Sequence, residues 1–359
     1  MPDTTDKVWR AQDTTPGAID EALRRLLAEV HRENPGYVPA RVLNLVCIVD
    51  REYSGEIANR LRGVGRFHAS RTVVLSYSPR RTTIDAVATI TAPTELRKDE
   101  YYGARENVVV EIGERHLAHL DRVVDPLVVP DLPTLVWSPH GHEDAVDAVL
   151  GLAQVVLLDS VDEPDLRDAV RTAESFLHHD AYVVDLAWLR TTPWRERVAA
   201  TFDPLHLRPQ LRMISAVTVR HHPDSTITGL LLIGWLGSRL GWTMSPLVAS
   251  RGLSGPLTGK AHARRQDVTL RLEPTREQSV RGLAGLTIEI ASGRMMRLDR
   301  GAGGLRAHYR NDAKDTEREW TVLGASRGEA GILGEGIRQA LLRDPTYHPA
   351  LEAAEVLVP

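Results

Sequence analysis

A chain of 359 residues, 42% hydrophobic and 26% charged, can bury an ordinary core and is long enough for more than one domain. Its net charge of −4 argues against a general nucleic-acid binder, which is usually basic. The single cysteine, Cys47, excludes an internal disulfide and a cysteine zinc cluster, and fits a reducing cytoplasm.

The N-terminal residues 1–7 are polar and lack the apolar stretch of a signal peptide. Residues 18–32 have helical spacing, with Ile19, Leu23, Leu26, Leu27 and Val30 on one face. A strand is expected at 41–49, where Cys47 reads as a buried thiol. A helix follows at 53–64, then strands at 71–77, 83–91 and 107–112, and a helix at 115–124. Pro130 and Pro133 bracket a turn into a strand at 134–137.

From there short apolar runs alternate with helices. Strands are expected at 155–159, 182–186 and 214–219, and helices at 145–152, 163–178, from Pro193, and 226–240. This rhythm is the signature of βαβ units and a parallel sheet. The apolar stretch 229–236 is too short to span a membrane. Residues 250–260 are rich in Gly, Pro and Ser and read as a linker or exposed loop. Beyond them, strands at 268–272, 286–291, 293–298, 305–309 and 319–323 precede helices at 330–342 and 349–356.

The expected fold is therefore α/β. A mostly parallel sheet with flanking helices fills residues 1–250, with a subdivision near 130 left open. A linker spans 251–261. A smaller C-terminal α+β domain with an antiparallel meander covers 262–359.

Residues 181–202 are the most distinctive block. A buried-type strand runs into Trp188, Arg190, Trp194, Arg195 and Arg197, with Thr192 placed to cap a helix and Pro193 at its first position. Trp and Arg often anchor interfaces. Residues 188–222 hold six arginines (190, 195, 197, 208, 212 and 220) against Glu196 and Asp203, a local excess of four positive charges. Trp188, Arg190, Trp194, Arg195, Arg197 and Arg220 are therefore the expected partner-binding residues, with core packing of the tryptophans and a solvated or intramolecularly paired face for the arginines left open as alternatives.

No catalytic residues are assigned. The serines lack nucleophile-elbow framing, and no glycine motif matches the dinucleotide or phosphate-loop pattern. His140-Gly141-His142 follows a strand and could form half of a metal site. The stronger reading is a turn, with Glu143 and Asp144 at a helix N-terminus, so no metal and no cofactor are expected. The adjacent His221 and His222 point to opposite faces and chelate poorly. With the nearby arginines they form an expected Arg/His crevice.

Several long motifs together resemble one known family. These are Thr134-Leu-Val-Trp-Ser-Pro139, Asp144-Ala-Val-Asp-Ala-Val149, Val156-Leu-Leu-Asp-Ser-Val161, the block 181–204, and Ile214 through His222. They are similar to the glucose-6-phosphate dehydrogenase assembly protein family, OpcA. The resemblance implies a bacterial cytoplasmic protein that is not an enzyme. It would bind glucose-6-phosphate dehydrogenase, promote its active oligomer or activate it allosterically, and so support NADPH production in the oxidative pentose phosphate pathway. It names no catalytic residues. In some members cysteines are linked to redox control, and this chain departs from that pattern because Cys47 stands alone. The alternative is a sugar-phosphate-binding isomerase or hydrolase using the Arg/His crevice, or a sugar phosphate bound there as an effector.

Overall fold

The protein is described here from a computed structural model, which covers residues 4–33, 41–64, 70–93, 105–179, 181–249, 255–264, 266–311, 315–323, 329–339 and 342–359. The chain forms two compact units, and the division falls elsewhere than expected. The first unit comprises Met1–Leu158, Phe176–Val184 and Leu333–Leu342; the second comprises Asp159–Ser175, Asp185–Ile332 and Arg343–Pro359.

The first unit is built on a sheet of β1 (Thr4–Ala11), β2 (Leu43–Asp50), β3 (Ser70–Tyr77), β4 (Asp85–Pro93), β5 (Arg105–Ile112), β6 (Thr134–Trp137), β7 (Val155–Leu158) and β8 (Tyr182–Asp185). Their spatial order is β1-β4-β5-β3-β2-β6-β7-β8. The pairs β5/β3, β3/β2, β2/β6 and β6/β7 are parallel, and β4 and β1 continue the sheet antiparallel. Helices in this part of the chain are α1 (Pro16–Glu33), α2 (Ser54–Val64), α3 (Glu114–Leu117), α4 (Leu120–Val124) and α5 (Glu143–Val149).

Residues 43–49 of β2 are all buried, as a central parallel strand covered on both faces requires. On α1 the residues Ile19, Ala22, Leu23, Leu26 and Val30 are buried. Pro16 opens that helix, and Thr15 Oγ1 accepts from the N–H of Ala18 at 3.3 Å. Strand β1 was not expected. Its residues carry no apolar run to mark a strand, yet they pair in register with β4 from Thr4 opposite Pro93 to Ala11 opposite Ala86.

The remaining elements are α6 (Leu166–His178), α7 (Leu186–Leu189), α8 (Thr192–Phe202), β9 (Ile214–His221), α9 (Thr226–Leu240), β10 (Thr243–Met244), β11 (Val248–Ala249), β12 (Leu257–Ala263), β13 (Gln266–Pro274), β14 (Leu283–Ile290), β15 (Arg294–Gly301), β16 (Gly304–Asn311), β17 (Thr316–Leu323), α10 (Glu329–Gln339) and α11 (Tyr347–Leu357). The second sheet has the order β10-β12-β13-β9-β14-β15-β16-β17, with β11 on β12.

Strand β9 corrects the expected division. It lies in this second sheet, parallel to β13 and antiparallel to β14, rather than in the first. A buried apolar run looks the same in either sheet, and its neighbours come from far along the chain. The second sheet is accordingly larger than the expected C-terminal meander, although β14 to β17 do form one. Residues 251–254 of the expected linker lie outside the described residues, and 257–261 belong to β12.

Helix α9 is buried over most of its surface. It packs on α11 at close range, because a Cβ on Gly234 would sit 2.3 Å from the carbonyl oxygen of Ala350. No helix among the described residues is long and apolar enough to cross a membrane.

Candidate functional site

From Asp185 onward the distinctive block folds into a network inside the second unit. Asp185 caps α7, accepting from the N–H of Ala187 at 2.8 Å. It also accepts from the N–H and Oγ of Ser160, at 3.1 and 2.7 Å, and from the Tyr347 hydroxyl at 3.2 Å. Burial, helped by the charge of Asp159, pushes the Asp185 carboxyl up to about 6 against these hydrogen bonds. Asp159 is held by both terminal nitrogens of Arg190, each at 2.7 Å.

A second cluster centres on Asp344. It accepts from Trp188 Nε1 at 2.9 Å and from Arg195 Nη1 at 3.3 Å. The Arg195 guanidinium lies over the Trp188 ring, 3.6 Å from its centroid. Burial raises the Asp344 carboxyl, but hydrogen bonds from Thr346 and Trp188, with the charge of Arg195, hold it below the usual carboxylate range. Burial in turn draws Arg195 down to about 10 against the pull of Asp344.

The expected interface anchors are thus mostly interior. Trp194 is 0% exposed, Trp188 2% and Arg190 4%, so in the folded chain they face no partner. Arg195 is largely covered by its own contacts. Arg220 crosses to Asp299. Arg197 is half-buried on α8, makes no ion pair among the described residues, and has its Nε buried without a hydrogen-bond partner. Thr192 is the first residue of α8 rather than its cap. Thr191 precedes it, and its hydroxyl donates to the Trp188 carbonyl and accepts from Arg195 Nε. Of the two alternatives that the local sequence leaves open, the paired face is the one seen for Arg190, Arg195 and Arg220: Asp159, Asp344 and Asp299, distant in sequence, neutralise arginines that look unpaired locally.

The Arg/His crevice does not assemble as expected. Arg190, Arg195, Arg208 and Arg220 are engaged with Asp159, Asp344, Asp203 and Asp299. His221 lines a cleft of about 690 Å³ together with Asp162, Arg167, Arg276 and Arg281, and none of the six arginines of that set lines this cleft. His221 is buried, with Nδ1 2.7 Å from the carbonyl oxygen of His222, and burial lowers its pKa. A carbonyl only accepts, so Nδ1 carries the proton and Nε2 the lone pair. Arg281 pairs with Asp162 across the cleft wall.

In the first unit, the loops after β2 and β6 meet where the strand order reverses, at the carboxyl edge of the parallel sheet. Open α/β folds place their ligands there. The N–H of Asp50 donates to His140 Nδ1 at 3.3 Å, and His142 Nε2 sits 2.9 Å from Asp50 Oδ1. The Tyr53 ring packs on His140 at 4.7 Å between centroids, and Tyr77 meets His142 edge-on at 5.1 Å. His142 takes a left-handed backbone, φ +57°, next to Gly141 at φ +84°. Neither histidine joins a metal set: among the described residues no three or more His, Cys, Asp or Glu are grouped to hold an ion. Glu143 and Asp144 stand in the first turn of α5, as the sequence suggests.

Comparison with known folds and families agrees with both halves of this description. The chain superposes on a mutant of KijD10, a 3-ketoreductase from Actinomadura kijaniata in complex with TDP-benzene and NADP, with a TM-score of 0.52, 11% identity, and coverage of 88% of this chain and 95% of that one. The Gal80p super-repressor mutant from Saccharomyces cerevisiae gives a TM-score of 0.51 at 9% identity, covering 89% and 94%. An inositol dehydrogenase homolog from Azotobacter vinelandii, complexed with NADH and myo-inositol, gives 0.50 at 10% identity, covering 89% and 94%. Identity this low shows a shared fold and nothing more.

Sequence relatives are more specific. The chain is 30% identical over 132 residues to the protein named OxPP cycle protein OpcA of Synechocystis sp., covering 35% of this chain and 27% of that protein. It is 25% identical over 140 residues to the protein of the same name in Synechococcus elongatus, covering 38% and 32%. These alignments span about a third or less of either relative. Family models described as glucose-6-phosphate dehydrogenase subunit N-terminal domain and C-terminal domain match residues 62–175 and 181–351. With two consecutive models of one family matched over most of its length, the chain belongs to the OpcA family of glucose-6-phosphate dehydrogenase subunits.

Proposed function

We propose that this chain is a non-catalytic, cytoplasmic factor that binds glucose-6-phosphate dehydrogenase, promotes its active oligomer and thereby supports NADPH production in the oxidative pentose phosphate pathway. The observation that carries the reading is the match of both halves of the chain to models of a glucose-6-phosphate dehydrogenase subunit. The burial of the 181–202 block is compatible with it, since Arg190 and Arg195 are committed to intramolecular pairs rather than to a substrate. A fold shared with oxidoreductases does not weigh against it, because a repressor shares that fold too. A factor that binds the active oligomer better than the inactive form shifts the population by that difference in affinity.

Within this reading Arg197 is the dehydrogenase-facing residue of the expected set. It is half-buried on α8 and makes no ion pair among the described residues, while Trp188, Arg190 and Trp194 hold that helix from inside. The test is the steady-state rate of the dehydrogenase with and without the chain, alongside mass photometry of the mixture. A higher rate with a new, heavier species is expected. No change in either quantity overturns the proposal.

A sugar-phosphate effector, or a sugar-phosphate enzyme, is the second reading. One observation favours it: the cleft of about 690 Å³ with His221, Arg276 and Arg281 in its wall. A sugar phosphate that raises the melting temperature of the isolated chain supports this second reading, and turnover of that ligand separates the enzyme from the effector.

A further inference from the structure

The fold shared with NADP- and NADH-complexed oxidoreductases raises the question of whether the first unit takes a nicotinamide dinucleotide. Such a fold binds the pyrophosphate on the turn between its first parallel strand and the following helix. Glycines there let the backbone N–H groups approach the phosphates, and the helix N-terminus supplies positive potential.

In this chain that turn is Asp50-Arg51-Glu52-Tyr53-Ser54-Gly55, between β2 and α2. Only Gly55 lacks a side chain, and it already lies within α2. Asp50, Glu52 and Glu56 lie in this turn and the first turn of α2 against Arg51, an excess of acid where a pyrophosphate would need positive charge. The N–H of Asp50 is already spent on His140. The loop after β6 also folds across the gap. His142 reaches Asp50, Tyr53 lies against His140 and Tyr77 against His142. The Ser138 hydroxyl lies between the Ile48 and Gly141 carbonyls, which compete for its one proton. Around Tyr77, burial and then the charges of Glu114 and Asp50 raise the phenol.

We infer that the switch-point crevice between β2 and β6 is closed by Asp50, Tyr53, His140 and His142 and takes no nicotinamide dinucleotide, although the surrounding sheet is that of a dinucleotide-binding unit. The inference rests on the filled turn and the bridging loop, independently of the dehydrogenase-binding proposal. It makes the first unit a scaffold whose cofactor position is occupied by its own side chains.

The test reads the crevice directly. Imidazole signals of the full chain, labelled with ¹⁵N-histidine, are followed while NADP⁺, NADPH, NAD⁺ or NADH is added to millimolar concentration. His140→Gln and His142→Gln assign the two signals. Calorimetry runs in parallel. Both signals are expected to stay in place. A heat of binding with unmoved signals puts the nucleotide elsewhere and upholds the closed crevice. A saturable shift of either signal overturns the inference.

Discussion

Arg220 lies across Gly285 and meets Asp299 two strands away, with its Nη2 donating to Oδ1 at 2.6 Å. The register explains the path. Arg220 on β9 is opposite Gly285 on β14, which is opposite Asp299 on β15. A Cβ at Gly285 would fall 2.2 Å from the guanidinium. The glycine serves here as space for a neighbour's side chain, not as a flexible joint. Burial raises the Asp299 carboxyl, and hydrogen bonds from Arg297 and Arg220 bring it below the ordinary range.

Gly285→Ala is therefore expected to displace Arg220. The pair is partly exposed, so its loss should cost about 0.5–1 kcal/mol. A double-mutant cycle checks the cause by urea denaturation. Arg220→Gln should destabilise the parent chain but cost close to nothing in the Gly285→Ala background.

The Asp159–Arg190 pair is a different case, because both side chains are almost fully covered. Arg190→Met leaves a buried carboxylate beside Asp185 and should cost about 3–5 kcal/mol. Adding Asp159→Asn should recover more than half of that loss. If the double variant is no more stable than Arg190→Met alone, the pair is not an electrostatic unit.

Asp185 gives a pH dependence. Its folded pKa, about 6, lies above the ordinary carboxylate value, so the folded chain favours the neutral acid. The stability it contributes is full below about pH 4 and is lost as pH rises to about 6. The change amounts to at most about 3 kcal/mol. Asp185→Asn keeps an acceptor for Ala187 and cannot ionise. The stability difference between parent and variant should therefore change across that window and be flat above it. A difference that is constant from about pH 4 to about pH 7 contradicts this assignment.

Trp194 and Arg197 sit three residues apart and should behave oppositely. Trp194→Ala empties a fully buried site and should cost about 3–5 kcal/mol. Arg197→Ala should change stability by less than about 0.5 kcal/mol. If the dehydrogenase docks on α8, Arg197→Glu weakens activation at unchanged melting temperature. Unchanged activation removes Arg197 from the interface.

Cys47 is fully buried in β2, and desolvation pushes its thiol well above the ordinary value. A thiol reagent should modify it only at the rate of unfolding, with a denaturant dependence to match. Fast labelling of the native chain would contradict this burial.

Sequence alone determined the local elements and the family. Apolar runs such as residues 43–49 and the one-sided spacing of α1 depend on near neighbours, and near neighbours are what periodicity records. The long motifs between 134 and 222 carried the family resemblance, which the two family models bear out. The tertiary structure decided three things that depend on distant partners. It put β9 in the second sheet, because strand pairing joins residues about fifty positions apart. It turned the Trp/Arg block inward, because Asp159 and Asp344 supply the countercharge that makes burying Arg190 and Arg195 tolerable. It brought His140 and His142 onto Asp50 across the crevice, a contact between loops about ninety residues apart that no local pattern encodes.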